Sequence, residues 1–147
     1  MNSPNLSNNS TSDFFGSIID VYTRKDALED GVQICLSDPF PNECQLYRYP
    51  VYCTAAVLHL IESATANNPC SDQTGIVWDI MWMSTHSPLR SHPNPATCVF
   101  TLIIQGADQV PDLWEDEFPV YRLTAKCEPK DLEDSTPVIT ISLLSED

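Results

Sequence analysis

The sequence predicts an α+β fold, a small antiparallel β-meander sheet with two to three helices packed on one face. Three observations carry this expectation. Apolar and polar residues alternate over 120–128 and again over 138–144, the period of strands with one buried face. Residues 97–105 are a run of β-branched and apolar side chains, so three strands follow one another with no crossover helix, as in a meander. Upstream, two stretches repeat apolar residues at helical spacing, and they are the available cover for the sheet's apolar face.

In chain order, residues 1–13 are rich in Asn and Ser and read as a disordered tail; residues 14–147 read as one α+β domain. Residues 14–22 are short and apolar, a strand or a turn of helix. Thr23 is placed to cap a helix over 23–30, with Asp26 three residues on as in a capping box and Gly31 at the C-terminal end. Val32 to Leu36 alternates as a strand. Pro39 and Pro41 make 37–45 a loop, and 46–51 reads as an extended segment limited by Pro50. Thr54 caps a helix over about 55–64, and 65–74 is a polar loop.

The stretch from Gly75 to about 87 is the most apolar helix. Val77, Ile80, Met81 and Ser84 share one face, and Trp78, Trp82 and Met83 widen it. Ser71 or Thr74 is its expected cap. A helix this apolar is expected to be covered on most sides, so that Trp82→Ala would cost ~3–5 kcal/mol. Pro88, Pro93 and Pro95 exclude regular structure up to Ala96, 106–119 reads as a long loop, and 129–136 as a charged turn.

Composition narrows the function classes. With 147 residues, 42% of them hydrophobic, the chain can fill a core without disulfides or a metal. Its net charge of -14 repels nucleic acid and anionic membranes, so a basic protein, or one that normally holds nucleic acid, is the expected partner. The start of the chain has no basic and apolar signal pattern, and no run reaches the ~20 apolar residues of a membrane span, which predicts a cytoplasmic protein. In that compartment the six Cys are expected to be reduced.

Five blocks add a resemblance. They are Ile19-Asp20-Val21-Tyr22-Thr23-Arg24, Asp30-Gly31-Val32, Tyr49-Pro50-Val51, Trp78-Asp79-Ile80-Met81-Trp82-Met83 and Pro137-Val138-Ile139-Thr140-Ile141. In this order the chain resembles a family of small, uncharacterised bacterial proteins found largely on plasmids and phages. The resemblance implies a mobile-element setting and carries no activity, cofactor or site residue.

Candidate chemistry is sparse. No two Cys are close enough in sequence to form a paired zinc grip, and four scattered Gly exclude a phosphate loop, so neither a metal nor a cofactor is expected. A small hydrolase-like enzyme would have to assemble Cys98 with His86 or His92 and Asp79, but Cys98 lies in an apolar run, where a thiol is inert. Carboxylates are the abundant resource. From residue 108 onward 11 acidic residues stand against 3 basic ones. Asp108, Asp112, Glu115, Asp116 and Glu117 crowd one loop, around Trp114; Glu128, Asp131, Glu133 and Asp134 crowd the next turn. Three readings stay open: a solubilising surface, an imitation of the DNA phosphate array, or hard oxygen ligands for a divalent cation. Trp114 either folds back on the core or anchors a partner. The function expected is a non-enzymatic, acidic binding protein, with the hydrolase as its rival.

Overall fold

The computed structural model describes residues 21–86, 90–91 and 93–146. The expected tail at 1–13, most of the segment at 14–22 and His92 lie outside the described residues. The elements run α1 (Arg24–Asp30), β1 (Gln33–Cys35), a 3-10 turn (Glu43–Leu46), β2 (Val51–Thr54), α2 (Ala55–Asn67), α3 (Gln73–His86), β3 (Arg90–Ser91), β4 (Thr97–Ile103), β5 (Leu113–Glu115), β6 (Phe118–Asp131), β7 (Asp134–Leu143) and a closing 3-10 turn (Leu144–Glu146). The fold is α+β. Seven strands form one mixed, mostly antiparallel sheet in the order β1-β2-β7-β6-β4-β3, with β5 paired to β6.

The meander is β4-β6-β7. Phe100 pairs with Leu123, and Leu123 with Leu143, across antiparallel ladders. Tyr121, Leu123 and Ala125 are buried on one face, as the alternation predicts, whereas Cys127, further along, is exposed. β2 joins β7 in parallel, Val51 opposite Ile139. That pairing places the N-terminal strands beside the meander.

Local signals explain the helix ends. Thr23 Oγ1 accepts the Asp26 N–H at 3.1 Å, and Asp26 Oδ2 accepts the Thr23 N–H at 3.1 Å, a complete capping box on α1. Gly31 closes that helix at φ 77. Thr54 Oγ1 accepts the Val57 N–H at 3.3 Å, capping α2. α2 outruns its expected end and runs to Asn67; within it the Thr65 hydroxyl donates back to the Ile61 carbonyl at 2.9 Å. α3 is capped by Asp72 rather than Ser71 or Thr74: its Oδ1 accepts the Gly75 N–H at 2.6 Å.

Four expectations are corrected. The proline-rich stretch before Ala96 is not free of regular structure, because Arg90–Ser91 is a short strand paired to β4. The extended segment at 46–51 lies too early: Glu43–Leu46 is a 3-10 turn, and the strand begins only after Pro50, which has no N–H to donate. The long loop at 106–119 contains β5 and the start of β6, a hairpin with Glu115 opposite Phe118. Its two-residue turn needs a left-handed residue, and Asp116 supplies it at φ 58. The fourth correction concerns Trp78 and Trp82. Ile76, Val77, Ile80, Met81 and Ser84 are the buried face of α3, but Trp78 is 43% and Trp82 44% exposed. Only one side of α3 meets the sheet and α2, and the indoles project away from it.

α2 and α3 form the cover on one face. Their Val57, Leu60, Ile61, Val77, Ile80 and Met81 share one cluster with Phe100, Leu123, Ile139 and Ile141 of the sheet. The third helix, α1, sits on the opposite face, because Arg24 contacts Thr140 and Glu128, which alternate with the buried Ile139 and Ile141 row.

Candidate functional site

The carboxylates fall into two groups at opposite ends of β6. That strand has 14 residues, so its ends are separated by roughly 40 Å. The groups at 108–117 and 128–134 are therefore not neighbours along the sheet.

Several of these acids hold the fold. Asp108 Oδ1 accepts from Asn67 Nδ2 at 2.9 Å, its Oδ2 lies 3.6 Å from His59 Nε2, and its N–H donates to Ser63, so this residue ties the loop to α2. Asp112 Oδ2 accepts the Arg122 N–H at 2.6 Å. Gly106 lets the loop approach the end of α2 closely: at φ 92, a Cβ there would stand 3.1 Å from Asn68 Cβ and 3.2 Å from the Ala64 carbonyl.

At the other end, Asp131 accepts the Lys25 N–H at 3.2 Å, and Asp134 accepts the Thr136 N–H at 3.0 Å. Hydrogen bonds from Thr136 hold the Asp134 carboxyl below the usual range. Glu133 is exposed in the same turn. Glu128 pairs with Arg24 Nη2 at 2.8 Å and accepts the Thr140 hydroxyl at 2.6 Å.

Arg24 is the residue that sequence reading missed. Its Nε donates to the Lys130 carbonyl and its Nη1 to Gln33 Oε1, both at 2.7 Å. The guanidinium lies 4.7 Å from the Tyr52 ring centroid. The arginine side chain is 7% exposed, so this is an internal junction. It forms part of the lining of a groove of about 680 Å³ between α1 and the β6-β7 turn. Within that groove Arg24 and Glu128 are paired with each other.

The hydrolase constellation is not assembled among the described residues. Cys98 Sγ donates to the Ser84 carbonyl at 3.7 Å, and burial pushes its thiol pKa up. His86 is engaged elsewhere: its ring lies on Trp82, and its Nδ1 is 2.8 Å from Thr85 Oγ1. Cys98 and Cys127 both line a groove of about 630 Å³, and among the described residues its lining holds no His, Asp or Glu. Among the described residues no three His, Cys, Asp or Glu are grouped to hold a metal ion. All six Cys are free. No helix among the described residues is long and apolar enough to cross a membrane.

The three Trp are exposed on α3 and the β5-β6 hairpin, while Tyr22, Leu28, Val32 and Leu132 are exposed around α1 and the β6-β7 turn. Trp78 and Trp82 stack at 6.0 Å between centroids, and Trp82 and His86 at 3.8 Å with planes 9° apart. The i, i+4, i+8 spacing lines these three rings along the outside of the helix. Trp114 is 61% exposed, so it does not fold back on the core. Phe118 and Ile103 are also exposed. A groove of about 300 Å³ connects α3 to the hairpin, lined by Trp82, Met83, Leu102, Ile103 and Val120, with Asp79 and Glu115 as its carboxylates. Burial raises the Asp79 pKa.

Residues 11–85 match a protein family described as a family of unknown function, DUF6573. The chain belongs to that family. The match covers α1 through nearly all of α3, and so includes Trp78, Asp79 and Trp82 but not the hairpin. It agrees in kind with the resemblance drawn from the sequence blocks, a family with no assigned activity. No curated protein and no solved structure matches the chain.

The exposed ring stack could not be read from sequence. An i, i+4 aromatic pair reads as core unless the side of the helix that meets the sheet is known.

Proposed function

We propose that this protein is a non-enzymatic binding protein that engages a basic protein partner through the aromatic and acidic surface of α3 and the β5-β6 hairpin. The observation that carries the reading is the solvent-exposed Trp78-Trp82-His86 stack. Trp is the side chain most often found as an interface anchor, and two adjacent exposed indoles leave a large apolar area in water. The acids beside them favour a cationic surface and speed encounter. The quoted sequence blocks support a bacterial mobile element as the setting and a host or element-encoded protein as the partner.

Imitation of a DNA phosphate array is the finer form of this reading. It would draw on 108–117 and 128–134 together. Because the two groups flank opposite ends of β6, the reading we favour uses the hairpin group with the aromatic surface. The test is capture of partners from a bacterial lysate by the wild-type chain and by Trp78→Gln/Trp82→Gln, with and without competing DNA. The expected result is a partner retained by the wild type and lost by the variant. A partner held equally by both removes α3 from the interface. Competition by DNA marks the partner as a nucleic-acid-binding protein.

A further inference from the structure

We infer that the groove between α3 and the β5-β6 hairpin seats a lysine or arginine side chain from a basic segment of the protein partner. This deepens the binding function above and rests on it. At about 300 Å³ the groove is at the small end of ligand pockets, sized for a long side chain rather than a cofactor. Its walls are of two kinds. Trp82, Leu102 and Ile103 give an apolar surface for an aliphatic stem, and Asp79 and Glu115 bring carboxylates from two separate elements. The Trp82 indole stacks closely on His86, at 3.8 Å between centroids, and also lines the groove.

The carboxylates are the informative part. The ion pairs among the described residues are Arg24 with Glu128 and His59 with Asp108; neither uses Asp79 or Glu115. Asp108, Asp112, Asp131 and Asp134 each accept hydrogen bonds from the fold, whereas Asp79 and Glu115, both exposed, line the two sides of the groove with no hydrogen bond or ion pair to another described side chain. A cationic head placed there would supply the opposite charge that this site lacks. The adjacent turn adds Asp116 and Glu117, both exposed.

The probe is a synthetic eight-residue peptide alternating Arg and Val, titrated into the full chain and followed by Trp fluorescence; a Gln-for-Arg peptide is the control. The Arg peptide should bind the wild type, and the Gln peptide far more weakly. Asp79→Asn/Glu115→Gln should weaken Arg-peptide binding about tenfold, while the charge-matched Glu29→Gln/Glu133→Gln, remote from the groove, should change it less than about twofold. Melting curves establish that both variants fold. Equal weakening by the two variants, or no binding of the Arg peptide to the wild type, overturns the assignment. The lysate partner separates the two levels: if it needs Trp78 and Trp82 but ignores Asp79→Asn/Glu115→Gln, the binding function stands and the groove assignment falls.

Discussion

Arg24 on α1 and Glu128 on β6 are 104 positions apart in sequence and 2.8 Å apart in space. The pair fixes a seven-residue helix to the sheet face opposite α2 and α3. Such a short helix has little stability of its own, so the junction sets its position. Arg24→Ala would leave Glu128 and Thr140 without their cation. Because Glu128 is 30% exposed, the expected cost is reduced to about 2–3 kcal/mol. Arg24→Lys should recover little of it, since an ammonium cannot serve Lys130, Gln33 and Glu128 at once. Urea unfolding measures both, and a loss under about 0.5 kcal/mol for Arg24→Ala would show that α1 is held by other contacts.

Asp79 should make stability depend on pH in an unusual direction. Burial raises its folded pKa above the ordinary 3.8. Its ionisation therefore opposes folding, a penalty that is absent below the unfolded pKa and complete once pH has passed the folded one. Asp79→Asn should raise Tm at pH 7 and leave it unchanged near pH 3. A lower Tm at pH 7 would mean that the carboxylate has a favourable partner. Asp26 has the opposite sign. Its backbone bond to Thr23 lowers its pKa, so its contribution is present above 3.8 and fades as pH falls through the folded value. Asp26→Asn should accordingly be most destabilising near neutrality.

Trp82→Ala should cost about 1–2 kcal/mol, below the ~3–5 expected for a fully buried aromatic. The indole is 44% exposed and loses only its stacking and its partial burial. A loss above about 4 kcal/mol in thermal or urea unfolding would place Trp82 in the core after all.

The thiols should react in an order set by burial. Cys70 and Cys127 are exposed and should be modified first. Burial pushes Cys44 up to about 11 and Cys53 up to about 12, so these should resist modification until the chain unfolds. Six free thiols are expected in the unfolded, non-reduced protein. Mass spectrometry after timed alkylation reads both the order and the number.

The parts legible in sequence were those with a local cause. The alternation over 121–125 and the caps at Thr23, Gly31 and Thr54 each act within a few residues, and each is where it was expected. The parallel pairing of Val51 with Ile139 left no such trace, because it joins positions 88 apart. Neither did the Arg24 junction. The β5-β6 hairpin was hidden by its own chemistry: Asp116 takes the left-handed turn position more commonly filled by Gly, and Pro119 lies inside the strand. The acids of 108–117 and 128–134 were legible as charge. Which of them brace the fold, as Asp112 does, and which face solvent unpaired, as Glu115 does, depended on tertiary partners.

The most direct measurement is amide hydrogen exchange of this protein with and without its captured partner. Added protection is expected over 76–86 and 113–118, on α3 and the hairpin, with no change in α1 or at 131–134. Protection confined to the turn at 131–134, with α3 exchanging as in the free protein, would contradict the proposed interface.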